Sequence, residues 1–118
     1  MVNLEQLAQA ALNRDGLRLR SLTQDFLREN PRLSDYEQPA TDDARVLSAA
    51  AALIELFAVR RHQASPAWTM NIGPLSEPFF LLKSAESLKH LRALCETQAP
   101  EPLLRRRLYA PPNFLTFA

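Results

Sequence analysis

The densest charge in the chain is a run of three arginines at 105–107, followed closely by Tyr109 and Phe114. Clustered arginines with interleaved aromatic rings are typical of nucleic-acid sites, because guanidinium groups contact phosphates and rings stack on bases. Three consecutive helical residues, however, point around most of the helix circumference and cannot all face one phosphate track. The net charge of +1 also provides no global field for a polyanion. The simpler alternative to nucleic-acid binding is that these arginines form a solvated face or salt bridges to the acidic segment 31–43.

Four further residues have side chains that could do chemistry. Cys95 lies on the predicted inner face of a helix with no histidine placed near it, so we expect a buried hydrophobe rather than a nucleophile. His62 and His90 have no acidic or cysteine neighbours at metal-ligand spacing, which argues against a metal site. Glu55, an acid in an apolar helix, suggests a general acid. It shares one helical stripe with Ser48 and His62, so we expect exposure to solvent instead.

Several functional classes are disfavoured by composition. With two glycines in 118 residues, the chain has little material for a phosphate-binding loop, and we expect no cofactor and no enzymatic activity. The single cysteine rules out an intramolecular disulfide and fits a reducing, cytoplasmic location. A signal peptide has a basic stretch followed by an apolar run, and the N-terminus shows no such pattern. The longest apolar run, residues 46–59, is shorter than the roughly 20 residues that span a bilayer. We therefore expect no association with membranes.

The C-terminal segment 108–118 has no charged side chain and is rich in aromatic residues. Chain ends are usually polar and frayed unless something holds them. The segment therefore either docks on the protein's own core or acts as a recognition segment whose aromatic anchors bind a partner. The candidate partner-binding residues are Trp68, Arg105, Arg106, Arg107, Tyr109, Phe114 and Phe117.

The same half of the chain carries a resemblance in pattern. Several motifs resemble the C-terminal half of small uncharacterised bacterial proteins. They are Pro66-Ala67-Trp68, Glu77-Pro78-Phe79-Phe80, residues 88–94, Ala99-Pro100-Glu101-Pro102 and Arg105-Arg106-Arg107-Leu108-Tyr109. Some of these look like antitoxin-type partners encoded beside nucleotidyltransferase-like toxins. The chain departs from that pattern at Leu108, where related sequences carry Asn. The resemblance covers residues 66–118 and implies a non-enzymatic, partner-binding role without catalytic residues.

Hydrophobic periodicity predicts the elements that must position these side chains. Apolar residues at helical spacing indicate main helices over residues 3–13, 17–30, 41–61 and 84–98. The third is apolar almost all round, apart from one narrow polar stripe, so it should be the central helix. Short helical pieces are expected between and after these helices, and residues 79–82 could form a short strand or a buried extended segment. The predicted fold is all-α: a small irregular helical bundle of about four main helices, in a single domain over residues 1–118.

The sequence therefore leaves three functional classes in order of preference. The first is a non-enzymatic protein-interaction module, with an antitoxin-like neutralising subunit as its narrower form. Its partner would be another protein or a second copy of the chain. The second is a small nucleic-acid-binding regulator that uses clustered arginines, and an enzyme is a distant third.

Overall fold

A computed structural model describes residues 1–116 of the chain as α-helices joined by short turns, 3-10 segments and one pair of very short strands. The α-helices are α1 (Leu4–Leu12), α2 (Gly16–Glu29), α3 (Ala44–Arg60), α4 (Lys89–Gln98) and α5 (Glu101–Leu104). The 3-10 segments are Leu33–Asp35, Ala67–Asn71 and Lys83–Glu86. The strands are β1 (Phe79–Phe80) and β2 (Leu108–Tyr109). Helical residues make up 57%, which confirms the all-α prediction.

Helix α1 begins where its capping residues predict. The Asn3 side chain accepts a 2.8 Å hydrogen bond from the Gln6 amide, and the Gln6 side chain accepts a 2.9 Å bond from the Asn3 amide. This reciprocal capping box satisfies two amides that the first helical turn leaves without partners. Asp15 caps α2 in a simpler way, by accepting a 3.2 Å bond from the Arg18 amide.

Helix α3 is central, as its apolar composition predicts. Every position from Ser48 to Ala58 is buried, and α1, α5 and two 3-10 segments pack around it. Its polar stripe, however, was predicted wrongly. Ser48 and Glu55 are both only 4% exposed, and His62 lies beyond the end of the helix. Helical spacing shows that residues share a stripe, but it does not show that a distant part of the chain covers that stripe.

Two helices end on non-glycine residues in the left-handed conformation. Arg14 (φ 58°) follows α1, and His62 (φ 56°) follows α3. After each, the next amide bonds back to a carbonyl five residues earlier, Asp15 to Ala10 at 3.0 Å and Gln63 to Ala58 at 2.8 Å. This is the Schellman arrangement, in which glycine is the usual left-handed residue.

The fourth predicted helix, residues 84–98, is broken. Lys83–Glu86 forms a 3-10 turn, and α4 starts only at Lys89. Leu88, expected to face inward, is 55% exposed because the backbone extends there (φ −104°, ψ 104°) and resets the helical phase. Cys95 on the rest of the helix is fully buried, as predicted.

The chain after α5 does not continue as the expected helix through the arginine run. It turns into β2, which pairs in parallel with β1 so that Phe79 lies opposite Leu108 and Phe80 opposite Tyr109. The Phe79 amide donates to the Arg107 carbonyl at 2.9 Å. The short strand foreseen within residues 79–82 is thereby confirmed. Within residues 1–116, no helix has the length and apolar character needed to cross a membrane.

Candidate functional site

Two arginines of the run, Arg105 and Arg106, form an ionic cluster with the buried carboxylate of Glu55. Arg106 is 4% exposed, and its Nη2 donates to the Glu55 carboxylate at 3.1 Å and to the Thr69 carbonyl at 2.9 Å. Arg105 also pairs with Glu55, and with Glu101 at 3.3 Å. Neither arginine pairs with segment 31–43, the acidic partner considered from the sequence. The cluster therefore joins the turn after α5 to the middle of α3.

The cluster also determines the ionisation of Glu55. Burial disfavours the charged carboxylate, but hydrogen bonds from Arg106, Thr69 and Arg105 and the charge of Arg106 outweigh this effect. The net result is a lowered pKa for Glu55. An ionised carboxylate held by two guanidinium groups is a structural anchor rather than a proton donor.

The predicted partner-binding residues are distributed over different parts of the fold. Arg106 is inside the protein at 4% exposure, so its side chain is not on the surface where a partner would meet it. Arg107 is exposed and donates to the Ser76 carbonyl at 2.9 Å. Trp68 is half-buried, with its indole nitrogen donating to the Tyr36 carbonyl at 2.8 Å. Arg105 and Arg106 thus converge on Glu55, whereas Arg107 points elsewhere, so the three arginines do not share one face.

Tyr109 and Phe114, two of the three aromatic residues near the C-terminus, pack on the protein itself. Tyr109 is half-buried, with its ring centroid 5.3 Å from that of Phe80. Phe114 is half-buried against the main hydrophobic core. Of the two interpretations of this segment, docking on its own core therefore holds for these two residues. The remaining candidate, Phe117, lies outside the described residues.

A second group of arginines, which sequence analysis missed, surrounds the strand β1. The guanidinium carbons of Arg14 and Arg45 lie 4.7 Å and 5.0 Å from the centroid of the Phe79 ring, and that of Arg92 lies 4.9 Å from the Phe80 ring. Both rings thus accept cation–π contacts, which are attractive because the ring face is negative. Phe79 is half-buried, so part of its ring remains open to solvent.

Three helices position these arginines. Arg14 follows α1, Arg45 stands in the first turn of α3, and Arg92 belongs to α4. The only sequence signal for this convergence is the apolar pair Phe79-Phe80 directly after a proline. Nothing in the spacing of 14, 45 and 92 indicates that they meet, because helix packing alone brings them together.

Two hollows flank this surface and share the segment 77–79. The smaller, about 230 Å³, lies between Arg45 and Glu77 with Leu75 and Phe79 among its lining residues. The larger, about 550 Å³, extends past Phe79 to Arg92. We call the surface of Arg14, Arg45, Glu77, Pro78, Phe79 and Arg92 the Arg–Phe face.

The charges on the Arg–Phe face are largely balanced. Arg14 pairs with Glu86 at 2.7 Å, and Arg92 pairs with Glu96 at 3.0 Å. Within residues 1–116, Arg45 and Glu77 have no ionic partner. The face therefore presents one free positive charge and one free negative charge, together with a half-open aromatic ring.

A separate groove of about 650 Å³ lies between the α1–α2 turn and the Lys83–Glu86 segment. Apolar side chains such as Leu19 and Leu82 line most of it, and Phe114 closes one side. Its charged lining residues include Arg14 and Glu86, which already pair with each other. Asp15 and Lys83 also line it, so the groove combines apolar and charged side chains.

The thiol of Cys95, the chain's single cysteine, is buried in α4. Burial, and then the charge of Glu96, raises the pKa of the Cys95 thiol. A raised pKa and full burial make this thiol a poor nucleophile. Glu86, four residues before His90 in the chain, binds Arg14 at 2.7 Å. The part of the chain that the structure describes contains no group of three His, Cys, Asp or Glu side chains suited to a metal ion.

Comparison with known proteins identifies no relative: the chain matches no protein-family model, no curated protein and no solved structure. What the protein does therefore has to be inferred from its own side chains and their geometry.

Proposed function

We propose that this chain is a protein-interaction module that contacts its partner through the Arg–Phe face. The observation that supports this most strongly is the half-open Phe79 ring, which lies beneath two guanidinium groups and between two hollows. Aromatic and arginine side chains are enriched in the centres of protein interfaces and supply most of the binding energy there. The contacts to Arg14 and Arg45 also hold the ring in place before binding, which lowers the entropy cost of association.

The chemistry of the face favours recognition over catalysis. A guanidinium group has hydrogen-bond donors and no acceptor, so Arg14, Arg45 and Arg92 provide contacts that bind a partner. The carboxylates of Glu86 and Glu96 are tied to two of those arginines. Such groups bind and orient a surface without activating a reacting atom.

Photo-crosslinking in cells of the source organism tests this proposal. A benzoylphenylalanine residue replaces exposed Pro78 on the face, and a matched variant carries it at Val59, which is 62% exposed outside the face. We expect a defined, nuclease-resistant protein adduct from position 78 and none from position 59. Equal labelling at both positions, or none at 78, would contradict the proposal.

A narrower form of this function is that of an antitoxin-like neutralising subunit. It is supported by the resemblance of residues 66–118 to small bacterial proteins of that type. Co-expression with the product of the neighbouring gene tests it: the chain should relieve growth inhibition by that product, and the Pro78 crosslinker should capture it. If the chain does not relieve the growth inhibition, or if the product of the neighbouring gene does not inhibit growth, the proposal is restricted to protein binding in general.

The second candidate function is nucleic-acid binding, favoured by the same stacking of arginine on phenylalanine. Against it, Glu77, Glu86 and Glu96 stand among the arginines and would repel phosphates. Fluorescence anisotropy with a labelled single-stranded oligonucleotide distinguishes the two functions. Nucleic-acid binding requires an affinity that falls steeply between 50 and 200 mM salt, as for any protein that displaces counterions.

A further inference from the structure

We infer that the Arg–Phe face binds a second copy of this chain, in a two-fold symmetric dimer with reciprocal Arg45–Glu77 ion pairs. This inference rests on the proposed function and names the partner. The charged side chains that the fold leaves without an ionic partner on the face, within residues 1–116, are Arg45 and Glu77.

Arg45 and Glu77 are both exposed and line the same small hollow. Within residues 1–116 neither has an ionic partner, whereas Arg14 and Arg92 on the same face are neutralised by Glu86 and Glu96. A partner that fits must therefore present one negative and one positive charge to this hollow. A uniformly charged ligand, such as a nucleic acid, would satisfy Arg45 and repel Glu77.

A second copy provides that pair of charges through symmetry alone. In a two-fold interface the same patch occurs on both sides, so if residue i meets residue j, residue j also meets residue i. Arg45 of each copy would then face Glu77 of the other. A patch with one free charge of each sign is self-complementary in this way.

The apolar part of the face suits the centre of such an interface. Pro78 is exposed and Phe79 half-buried, and both lie where the two hollows meet. A standard interface of ~800 Å² per partner would take about an eighth of the 6764 Å² accessible surface. The charged rim and the aromatic centre together match the usual anatomy of a specific interface.

Sedimentation velocity over a concentration series, with charge-reversal variants, tests the dimer. We expect the wild type to dimerise and each of Arg45→Glu and Glu77→Arg to weaken association at least tenfold, because each reversal creates two repulsive pairs in a symmetric dimer. An equimolar mixture of the two variants should associate again, since each heterodimer restores both ion pairs. The double variant Arg45→Glu/Glu77→Arg should dimerise for the same reason.

Arg32→Glu and Glu37→Arg are matched controls, since both residues are exposed and lie outside the face. They should dimerise like the wild type, and circular dichroism should show that all variants are folded. A wild type that stays monomeric up to about 1 mM overturns the inference, as does a mixture that fails to re-associate. If the wild type is monomeric but position 78 still crosslinks to another protein, the proposed function survives and only the second copy is excluded.

Discussion

The Nε of Arg14 donates a 2.9 Å hydrogen bond to the backbone carbonyl of Phe80. The same guanidinium group pairs with Glu86 at 2.7 Å and lies 4.7 Å from the Phe79 ring centroid. One side chain thus connects the end of α1 to β1 and to the 3-10 turn that follows. Its backbone is in the left-handed conformation (φ 58°), which non-glycine residues adopt at a cost. The tertiary contacts of Arg14 offset that cost.

Replacing Arg14 with glutamine should destabilise the protein by roughly 1–3 kcal/mol, because it removes a charge-assisted hydrogen bond, an ion pair and a cation–π contact. Arg18→Gln is the matched control on an exposed residue of α2 and should change stability by less than about 0.5 kcal/mol. Urea unfolding followed by circular dichroism measures both values. Equal effects would show that the contacts of Arg14 contribute little.

The ionic cluster around Glu55 predicts strong coupling between two residues. Glu55→Leu or Arg106→Met alone should cost roughly 3–5 kcal/mol, since the first leaves Arg106 buried without a counter-ion and the second leaves buried Glu55 with Arg105 alone. The double variant should cost less than the sum, because apolar residues of similar volume replace the pair. A double-mutant cycle in urea measures this coupling. If Glu55 were exposed, as expected from the sequence, its substitution would hardly change the free energy of unfolding. Small and additive effects of the two substitutions would therefore support an exposed Glu55.

The lowered pKa of Glu55 predicts loss of stability in acid. A carboxyl whose pKa is lower in the folded than in the unfolded state stabilises the protein while it is ionised, and this contribution disappears as the pH falls through the folded-state pKa. The free energy of unfolding should therefore decrease as the pH falls from about 5 to 3. The Glu55→Leu/Arg106→Met variant should show a shallower decrease over this range. Parallel pH profiles for the two proteins would argue against the assignment.

The left-handed residue after α3 predicts a stabilising substitution. His62 is exposed with φ 56°, so His62→Gly relieves backbone strain and should stabilise the protein by roughly 0.5–1 kcal/mol. Arg61 is the control, because its φ of −99° is ordinary and glycine there should be destabilising. Thermal unfolding distinguishes the two outcomes. If both glycine variants lose stability, the left-handed conformation at His62 carries no cost that glycine removes.

Elements with local causes were predictable from the sequence. Asn3 and Gln6 identify the start of α1 because a capping box involves only residues three apart. The uninterrupted apolar character of α3 identifies the central helix, since such a surface must be covered on all sides. The break at Leu88 was not predictable, because the apolar residues of 84–98 are spaced as in a continuous helix. Only the extended backbone at Leu88 shifts the helical phase of α4.

The candidate site depended almost wholly on tertiary structure. The sequence determined that Phe79 and Phe80 form a short apolar run after a proline and that the chain is rich in arginine. Tertiary structure alone decided that Arg14 and Arg45 stack on Phe79, and that Glu55 is buried beneath Arg106. The physical reason is that ion pairs and cation–π contacts act over a few ångströms in space, while the members of these three pairs are separated by 65, 34 and 51 positions along the chain. Periodicity and spacing report only on neighbours within one helix or turn, and packing determines which distant side chains meet.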